Sequence, residues 1–203
     1  MNSEVQKTEI FLINRYAAYE LAGAILLGKQ ARKVSNQYLM NNLTWHCMEE
    51  AQHSIMWQEL IKKLNLPFIE IHDQKGEDYF SYIKGKENLI DFLAFTHIFE
   101  MRVPFHFTMH KIWTKNNEIK KMLEKLIREE DSHLKWIKEY LEKELKMGNT
   151  EVRIALDKFL ELEKEIYLKD INKLENMGED SREFVKIIKS RIGEFDNAPK
   201  WWK

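Results

Sequence analysis

Length, composition and charge limit what kind of protein this sequence can encode. The chain has 203 residues, enough for one domain or one domain with an appendage, and its 44% apolar content can fill a sizeable core. Because 32 Lys and Arg residues balance 33 Asp and Glu residues, no net charge recruits nucleic acid or an anionic membrane. The one cysteine, Cys47, excludes a disulfide framework or a four-cysteine metal site within the chain and favours a reducing, cytoplasmic location.

The N-terminal part of the chain predicts a long helix. Residues 1–9 lack the basic region and apolar run of a secretory signal, and no stretch approaches the apolar length needed to cross a bilayer, so we expect no membrane association. Few Gly and Pro residues and many Leu, Ile, Lys and Glu residues favour an all-α fold. Residues 6–34 carry an apolar stripe at helical spacing, and Glu20 lies inside it. Because a buried carboxylate needs a partner, Glu20 is a candidate metal ligand.

The second predicted helix, residues 36–65, places a carboxylate and an imidazole on one face. Glu50 and His53 are three residues apart, so they lie nearly one above the other in an otherwise apolar seam. Glu49 lies at a different angle and is expected to be solvated, although its four-residue reach to His53 keeps it as an alternative ligand. His46, one turn before Glu50, could be a third imidazole at the site or a core histidine with satisfied hydrogen bonds, and the sequence leaves both open.

The stretch from 66 to 87 interrupts the helical periodicity. It holds three Gly or Pro residues and several aromatic ones. A connection of about 20 residues between two hairpins of similar length is typical of a four-helix bundle with one long crossover. An inter-domain linker is the alternative, but a two-helix hairpin cannot bury its own apolar seam, so we expect the two halves to pack together.

The third predicted helix begins at Asn88, three residues before Asp91, in the manner of a capping box. Its inner face carries Glu100 among apolar residues. This helix is the most aromatic part of the chain: Phe92, Phe95, Phe99, Phe105, Phe107 and Trp113. Core packing explains such residues by default, although they could also form the wall of an apolar substrate cavity. Three histidines lack a partner at ligand spacing and are predicted to be non-ligands: His97, His106 and His110.

The fourth predicted helix, residues 117–147, repeats the pattern of the second. Glu130 and His133 are again a carboxylate and an imidazole three residues apart within an apolar seam. Gly148 is expected to end the helix. Residues 1–148 are therefore predicted to form a four-helix bundle.

The remaining residues, 149–203, are predicted to form two more helices at 150–177 and 181–193. Neither helix carries a pattern of metal ligands, and charged residues such as Glu163 fit an ordinary amphipathic helix. We expect this C-terminal extension to cover the bundle or to bind another subunit. The final Trp201-Trp202 pair is expected to tuck into a neighbouring surface.

An internal repeat relates the two sets of candidate ligands. A shift of 80 residues maps three side chains onto three others: Glu20, Glu50 and His53 onto Glu100, Glu130 and His133. Apolar positions follow the same shift, for example Leu39 onto Ile119 and Leu43 onto Leu123. Each half is therefore a helical hairpin whose turn lies midway between its two carboxylates. Because residues equally far from a turn lie at the same height, we expect all six donors to meet in one layer.

The charges of these donors indicate what they bind. Four carboxylates and two imidazoles in an apolar seam would take up protons or force the core apart unless cations neutralised them. Two divalent ions supply the opposite charge. Bridging carboxylates with one His per metal suit iron or manganese, whereas zinc usually takes more N or S ligands in a tetrahedral site. We expect Glu50 and Glu130 to be the bridges between the ions.

With these motifs, residues 8–147 resemble the ferritin-like di-iron carboxylate superfamily, whose signature of one Glu and one ExxH per hairpin is complete here. The resemblance implies a ferritin-like four-helix bundle of two hairpins joined by a long crossover, with additional C-terminal helices. It also implies a site for two Fe ions that reacts with dioxygen or peroxide. Mn or a mixed Mn/Fe pair would suit the same donors.

Several members of that superfamily remain as alternatives. The chain lacks the cysteine pairs of full-length rubrerythrin and extends further beyond the bundle than storage ferritins usually do. The aromatic third helix favours an oxidase or oxygenase of a small, largely apolar organic substrate, supplied with electrons by a ferredoxin or flavoprotein. A rubrerythrin-like peroxidase, an iron-oxidising or iron-handling protein and a purely structural bundle remain open, as does a homodimer. No nucleic-acid partner is expected.

Overall fold

The computed structural model describes residues 5–71 and 88–203, and it is all-α. Six helices occur in the described residues: α1 Lys7–Ala31, α2 Gln37–Lys63, α3 Leu89–Trp113, α4 Asn117–Lys146, α5 Glu151–Glu175 and α6 Glu179–Asp196. These bounds agree with the sequence predictions to within a few residues, and no strand is present in the part of the chain that the structure describes. Most of the predicted crossover, residues 72–87, lies outside the described residues.

Contacts divide the chain into two compact units, residues 1–72 and residues 73–203. We call them the N-terminal unit, which contains α1 and α2, and the C-terminal unit, which contains α3 to α6. The predicted boundary after residue 148 is a different division, based on where the ligand patterns end, and it stays a prediction.

The N-terminal unit is an antiparallel helical hairpin. The Ser54 hydroxyl donates a buried hydrogen bond of 2.7 Å to the backbone carbonyl of Ala17. One turn away, the rings of Tyr16 and Trp57 lie 5.1 Å apart. After α2 ends, the chain returns to α1, where the Asn14 side chain accepts a hydrogen bond of 2.9 Å from the Ile69 amide. These contacts set the register that brings the candidate ligands of α1 and α2 to the same height.

The C-terminal unit is built around α3, which packs against α4, α5 and α6. Such a central position requires apolar side chains on most of the helix surface, and this explains why α3 is so aromatic. Phe95 packs edge-on against Phe159 of α5, and Trp113 stacks on Phe184 of α6 at 4.9 Å. At least these α3 aromatics are therefore core residues, in agreement with the default explanation.

The helix ends confirm the internal repeat. Asn36 and Asn116, which are 80 residues apart, are the N-caps of α2 and α4, and each side chain accepts a hydrogen bond from the amide three residues later. Asn88 caps α3 in the same way, as predicted. Gly148, with a φ of 89°, follows the end of α4 in a conformation that glycine adopts without strain.

The C-terminal residues tuck into the C-terminal unit. Trp202 is buried, and its indole Nε1 donates a hydrogen bond of 2.9 Å to Asp157 of α5. Trp201 donates a hydrogen bond of 3.0 Å to Nε2 of His97 on α3. The prediction that the two tryptophans pack on a neighbouring surface is confirmed, and α5 and α6 do cover one hairpin.

One described helix, α1, is long and apolar enough to cross a membrane by length and composition. The expectation that no stretch approaches that length is therefore wrong for this helix. Half of its most apolar window is buried inside the structure, and core helices of soluble proteins and signal sequences meet the same criterion, so the finding is weak evidence.

Candidate metal sites

The N-terminal unit gathers its three predicted ligands. Glu20 on α1 and Glu50 and His53 on α2 are all buried, with both carboxylate residues 8% exposed. One ligand atom from each of the three lies within 4.8 Å of the others. His53 Nδ1 is 3.8 Å from Glu20 Oε2. Each unit is compact in its own right, so this group of donors exists within the α1–α2 hairpin alone.

His46 extends this group along α2. Its Nε2 atom lies 3.3 Å from Oε1 of Glu50, one helical turn away, and the ring is almost fully buried. The neighbouring Glu49 is half-buried, and its carboxylate is not among the grouped ligand atoms. The structure therefore supports Glu50 rather than Glu49 as the α2 carboxylate, and it brings His46 beside the predicted ligands.

A glycine leaves room for the Glu50 carboxylate. The hydrogen of Gly23 on α1 faces Glu50, and a Cβ atom at this position would stand 3.4 Å from Oε2 of Glu50. The two oxygens of Glu50 thus have different neighbours, because Oε1 is close to His46 and Oε2 is close to the α1 backbone. This arrangement suits a carboxylate whose two oxygens bind separately.

The C-terminal unit repeats the arrangement with its own three residues. Glu130 and His133 on α4 are buried, and Oε2 of Glu130 lies 3.4 Å from Nδ1 of His133. Glu100 on α3 is partly buried, and one of its oxygens lies within 4.8 Å of a ring nitrogen of His133. Sequence spacing thus identified both groups of side chains correctly as neighbours.

The distances between donors suit metal binding better than hydrogen bonding. Two atoms that each bind one ion at about 2.1 Å are about 3.0–4.2 Å apart, depending on the angle at the metal. The three carboxylate–imidazole pairs measure 3.3, 3.8 and 3.4 Å. An N–H···O hydrogen bond is usually about 2.7–3.2 Å long. The donor set, with two carboxylates and at least one imidazole in each unit, fits hard or borderline divalent ions.

The other α3 histidines belong to a different network. His97 accepts the hydrogen bond from Trp201, and its pKa is lowered to about 4 by burial and by the positive charge of Lys138. His106 Nδ1 lies 3.0 Å from the Tyr167 hydroxyl. His110 packs against Trp113 and Phe184. These contacts agree with the prediction that the three histidines are non-ligands.

A buried ion pair in the C-terminal unit was missed at the sequence level. Glu163 of α5 is fully buried rather than solvated, and both of its oxygens accept hydrogen bonds from Arg102 of α3, at 2.8 and 2.9 Å. Arg102 also donates to Asp196, and its guanidinium lies over the rings of Tyr167 and Phe195. Burial by itself would lower the pKa of Arg102, but the bonds and charge of Glu163 outweigh burial and raise it. The partners are 61 residues apart, so no local pattern marks them.

Comparison of the chain with known proteins adds no relative. No protein-family model matches it, and neither a curated protein nor a solved structure does. The chemistry of this protein is therefore argued from its own side chains.

Proposed function

We propose that this protein is a non-haem di-iron oxidase or oxygenase that uses dioxygen to oxidise a small, largely apolar organic substrate. Its two hairpins would belong to a ferritin-like bundle and hold the ions together. The observation that carries the proposal is that each unit has a buried carboxylate–imidazole group at the spacing of metal ligands.

The charge balance supports two ions rather than one. Four buried or partly buried carboxylates, Glu20, Glu50, Glu100 and Glu130, bring four negative charges, which two divalent ions neutralise. Glu20 and His53 would bind nearer one ion, and Glu100 and His133 nearer the other. Glu50 and Glu130 would bridge, because the two oxygens of Glu50 already have different neighbours.

A pair of Fe(II) ions supplies electrons for reducing dioxygen. The contribution of the chain is to fix the ligands and to exclude water. Large apolar side chains are fully buried near the ligands along the helices, among them Leu43 and Trp57 on α2 and Leu126 and Ile137 on α4. Such surroundings strengthen electrostatic interactions at the site and protect reactive species from water.

The substrate class rests on the apolar character of these helices. Part of the earlier argument is weaker, because Phe95 and Trp113 of α3 pack against α5 and α6. Catalytic turnover of an oxidase also needs external electrons, for which we propose a ferredoxin or flavoprotein. A peroxidase of the rubrerythrin kind would use the same donors with peroxide in place of dioxygen.

Adjacent glutamates provide a matched test of the metal site. Anaerobic loading with Fe(II) should give two ions per chain, and E50Q or E130Q should lose at least one of them. The control variants E49Q and E129Q change the preceding, half-buried residue in each hairpin and should retain both. Equal metal content in all four variants, or no stoichiometric metal in the wild type, would disprove the proposal and favour a structural bundle.

Oxygen consumption and particle size separate the enzymatic classes. Exposure of the loaded protein to dioxygen and to peroxide, with the optical spectrum recorded, shows which oxidant it uses. An oxygenase should consume dioxygen as a small particle and oxidise an added apolar substrate. Oxidation of many Fe(II) ions by a large shell in sedimentation would instead identify an iron-handling protein.

A further inference from the structure

His46 occupies a position that the internal repeat fills with leucine. A shift of 80 residues maps His46 onto Leu126, and the two are 1% and 0% exposed. The ten residues around them, 41–50 and 121–130, follow the same order of buried, half-buried and exposed positions. The site is thus a core position in both hairpins, and the packing at one of them needs nothing more than an aliphatic side chain.

An imidazole at such a position has a cost that leucine does not have. Its two ring nitrogens lose their hydration on burial, and this loss must be offset by a hydrogen bond or a metal ion. The nearest carboxylate is Oε1 of Glu50, at 3.3 Å from Nε2 of His46. This separation lies outside the range of about 2.7–2.9 Å for a charge-assisted hydrogen bond. It falls within the spacing of two ligands on one ion.

Glu50 stands between two groups of donors in the same hairpin. Its ligand atoms lie within reach of Glu20 and His53, and its Oε1 also lies beside His46. His46 and His53 are seven residues apart, two turns along one face of α2, with Glu50 between them. One hairpin therefore supplies nitrogen donors on both sides of a single carboxylate.

We propose that His46 is a metal ligand, binding through Nε2 the ion that Oε1 of Glu50 also binds. This proposal rests on the proposed di-metal function and extends it. The ion bound by Glu20 and His53 is a separate one, and Glu50 bridges the two. The two positions are then chemically unequal, because one of them gains a nitrogen ligand from α2 that the repeat does not provide on α4.

Unequal ligands predict unequal binding. Additional imidazole ligation favours the later divalent metals of the first transition row. Cobalt(II) added stepwise to the metal-free protein should therefore fill the His46 position first, and its visible spectrum should change when the second ion enters. The competing interpretation is a core histidine that only donates a hydrogen bond to Glu50.

The repeat suggests the test variant. H46L installs the residue that stands at the equivalent position of α4, so we expect the metal-free protein to remain folded by circular dichroism. Cobalt(II) titration by calorimetry should show one of the two binding events weakened about tenfold or more, with the other unchanged. The spectrum of the first cobalt ion should change. H110L, which replaces an equally buried histidine of the aromatic core, is the matched control and should bind cobalt like the wild type.

Rescue by a free ligand distinguishes ligation from packing. Added imidazole should restore the cobalt spectrum of H46A, and this variant replaces H46L if the latter does not fold. Two cobalt ions with wild-type affinity and spectrum in the His46 variants would overturn the proposal while leaving the di-metal function standing. Failure of the wild type to bind cobalt or iron would instead remove the proposed function itself.

Discussion

The two helical hairpins share one design, but the N-terminal hairpin invests in donors and the C-terminal hairpin in packing. At equivalent positions, His46 faces Leu126 in the comparison and Gly23 faces Val103. The C-terminal hairpin is covered by α5 and α6 within its own unit and is joined to them by the buried Arg102–Glu163 pair. The difference shows that a repeated ligand pattern does not require a repeated environment.

Surface exposure differs between the hairpins in the same sense. Large apolar side chains of the N-terminal unit remain exposed: Leu21, Ile25, Tyr38, Trp45, Met48, Ile55 and Phe68. The hairpin of the C-terminal unit has fewer, because α5 and α6 bury much of its apolar surface. The homodimer considered from the sequence stays a prediction.

Breaking the ion pair should have the largest effect on stability. E163Q leaves Arg102 buried with only Asp196 as an acidic partner, and we expect a loss of about 3–5 kcal/mol in the free energy of unfolding. The control E165Q alters an exposed glutamate of the same helix and should cost less than about 1 kcal/mol. Urea unfolding measures both. Similar losses in the two variants would show that the pair does not hold the C-terminal unit together.

Exchanging the repeat residues tests the central difference directly. L126H places an imidazole in the apolar seam of α4, where we expect it to destabilise the metal-free protein by about 2–3 kcal/mol. H46L should have little effect or be stabilising under the same conditions. The comparison would fail if H46L were the more destabilising of the two in thermal unfolding.

Acid should weaken the C-terminal unit through His97. The folded protein holds the pKa of His97 at about 4, whereas the unfolded chain has its ordinary value of 6.5. Between these values the unfolded chain binds more protons, so stability falls as the pH falls. For this buried group the loss between pH 7 and pH 5 is about 2 kcal/mol.

H97Q supplies the control, because an amide oxygen can still accept the Trp201 hydrogen bond but does not titrate. Unfolding curves at the two pH values should show a smaller pH dependence in this variant. An unchanged dependence would place the responsible group elsewhere.

The smallest effects concern the glycine beside Glu50. G23A should stabilise the metal-free α1 by about 0.5–1 kcal/mol through helix propensity, while its Cβ meets Oε2 of Glu50 and weakens metal binding a few-fold. G28A, whose Cβ would meet the sulfur of Cys47, should leave metal binding unchanged. Calorimetric titration distinguishes them, and equal affinities would show that Glu50 does not need the space.

Local sequence patterns predicted most of the helices and the ligand groups. Apolar residues at helical spacing gave the bounds of α1 to α4 within a few residues, and Asn36, Asn88 and Asn116 cap their helices through bonds to residues close in sequence. The i, i+3 spacing of Glu130 and His133 places them on one face of α4 whatever surrounds the helix. The shift of 80 residues then predicted which side chains on neighbouring helices would meet.

Contacts between distant segments could not be predicted in this way. Glu163 had the appearance of a solvated charge because its partner, Arg102, is on another helix, and the bond from Trp201 to His97 spans 104 residues. Whether His46 stands beside Oε1 or Oε2 of Glu50 likewise depends on side-chain rotamers. The sequence by itself determined the helices, the repeat and the donor types, because these follow from periodicity and spacing along a single helix. Only the tertiary structure decided which charges are buried together, because burial and pairing depend on packing between helices that the chain brings together from far apart.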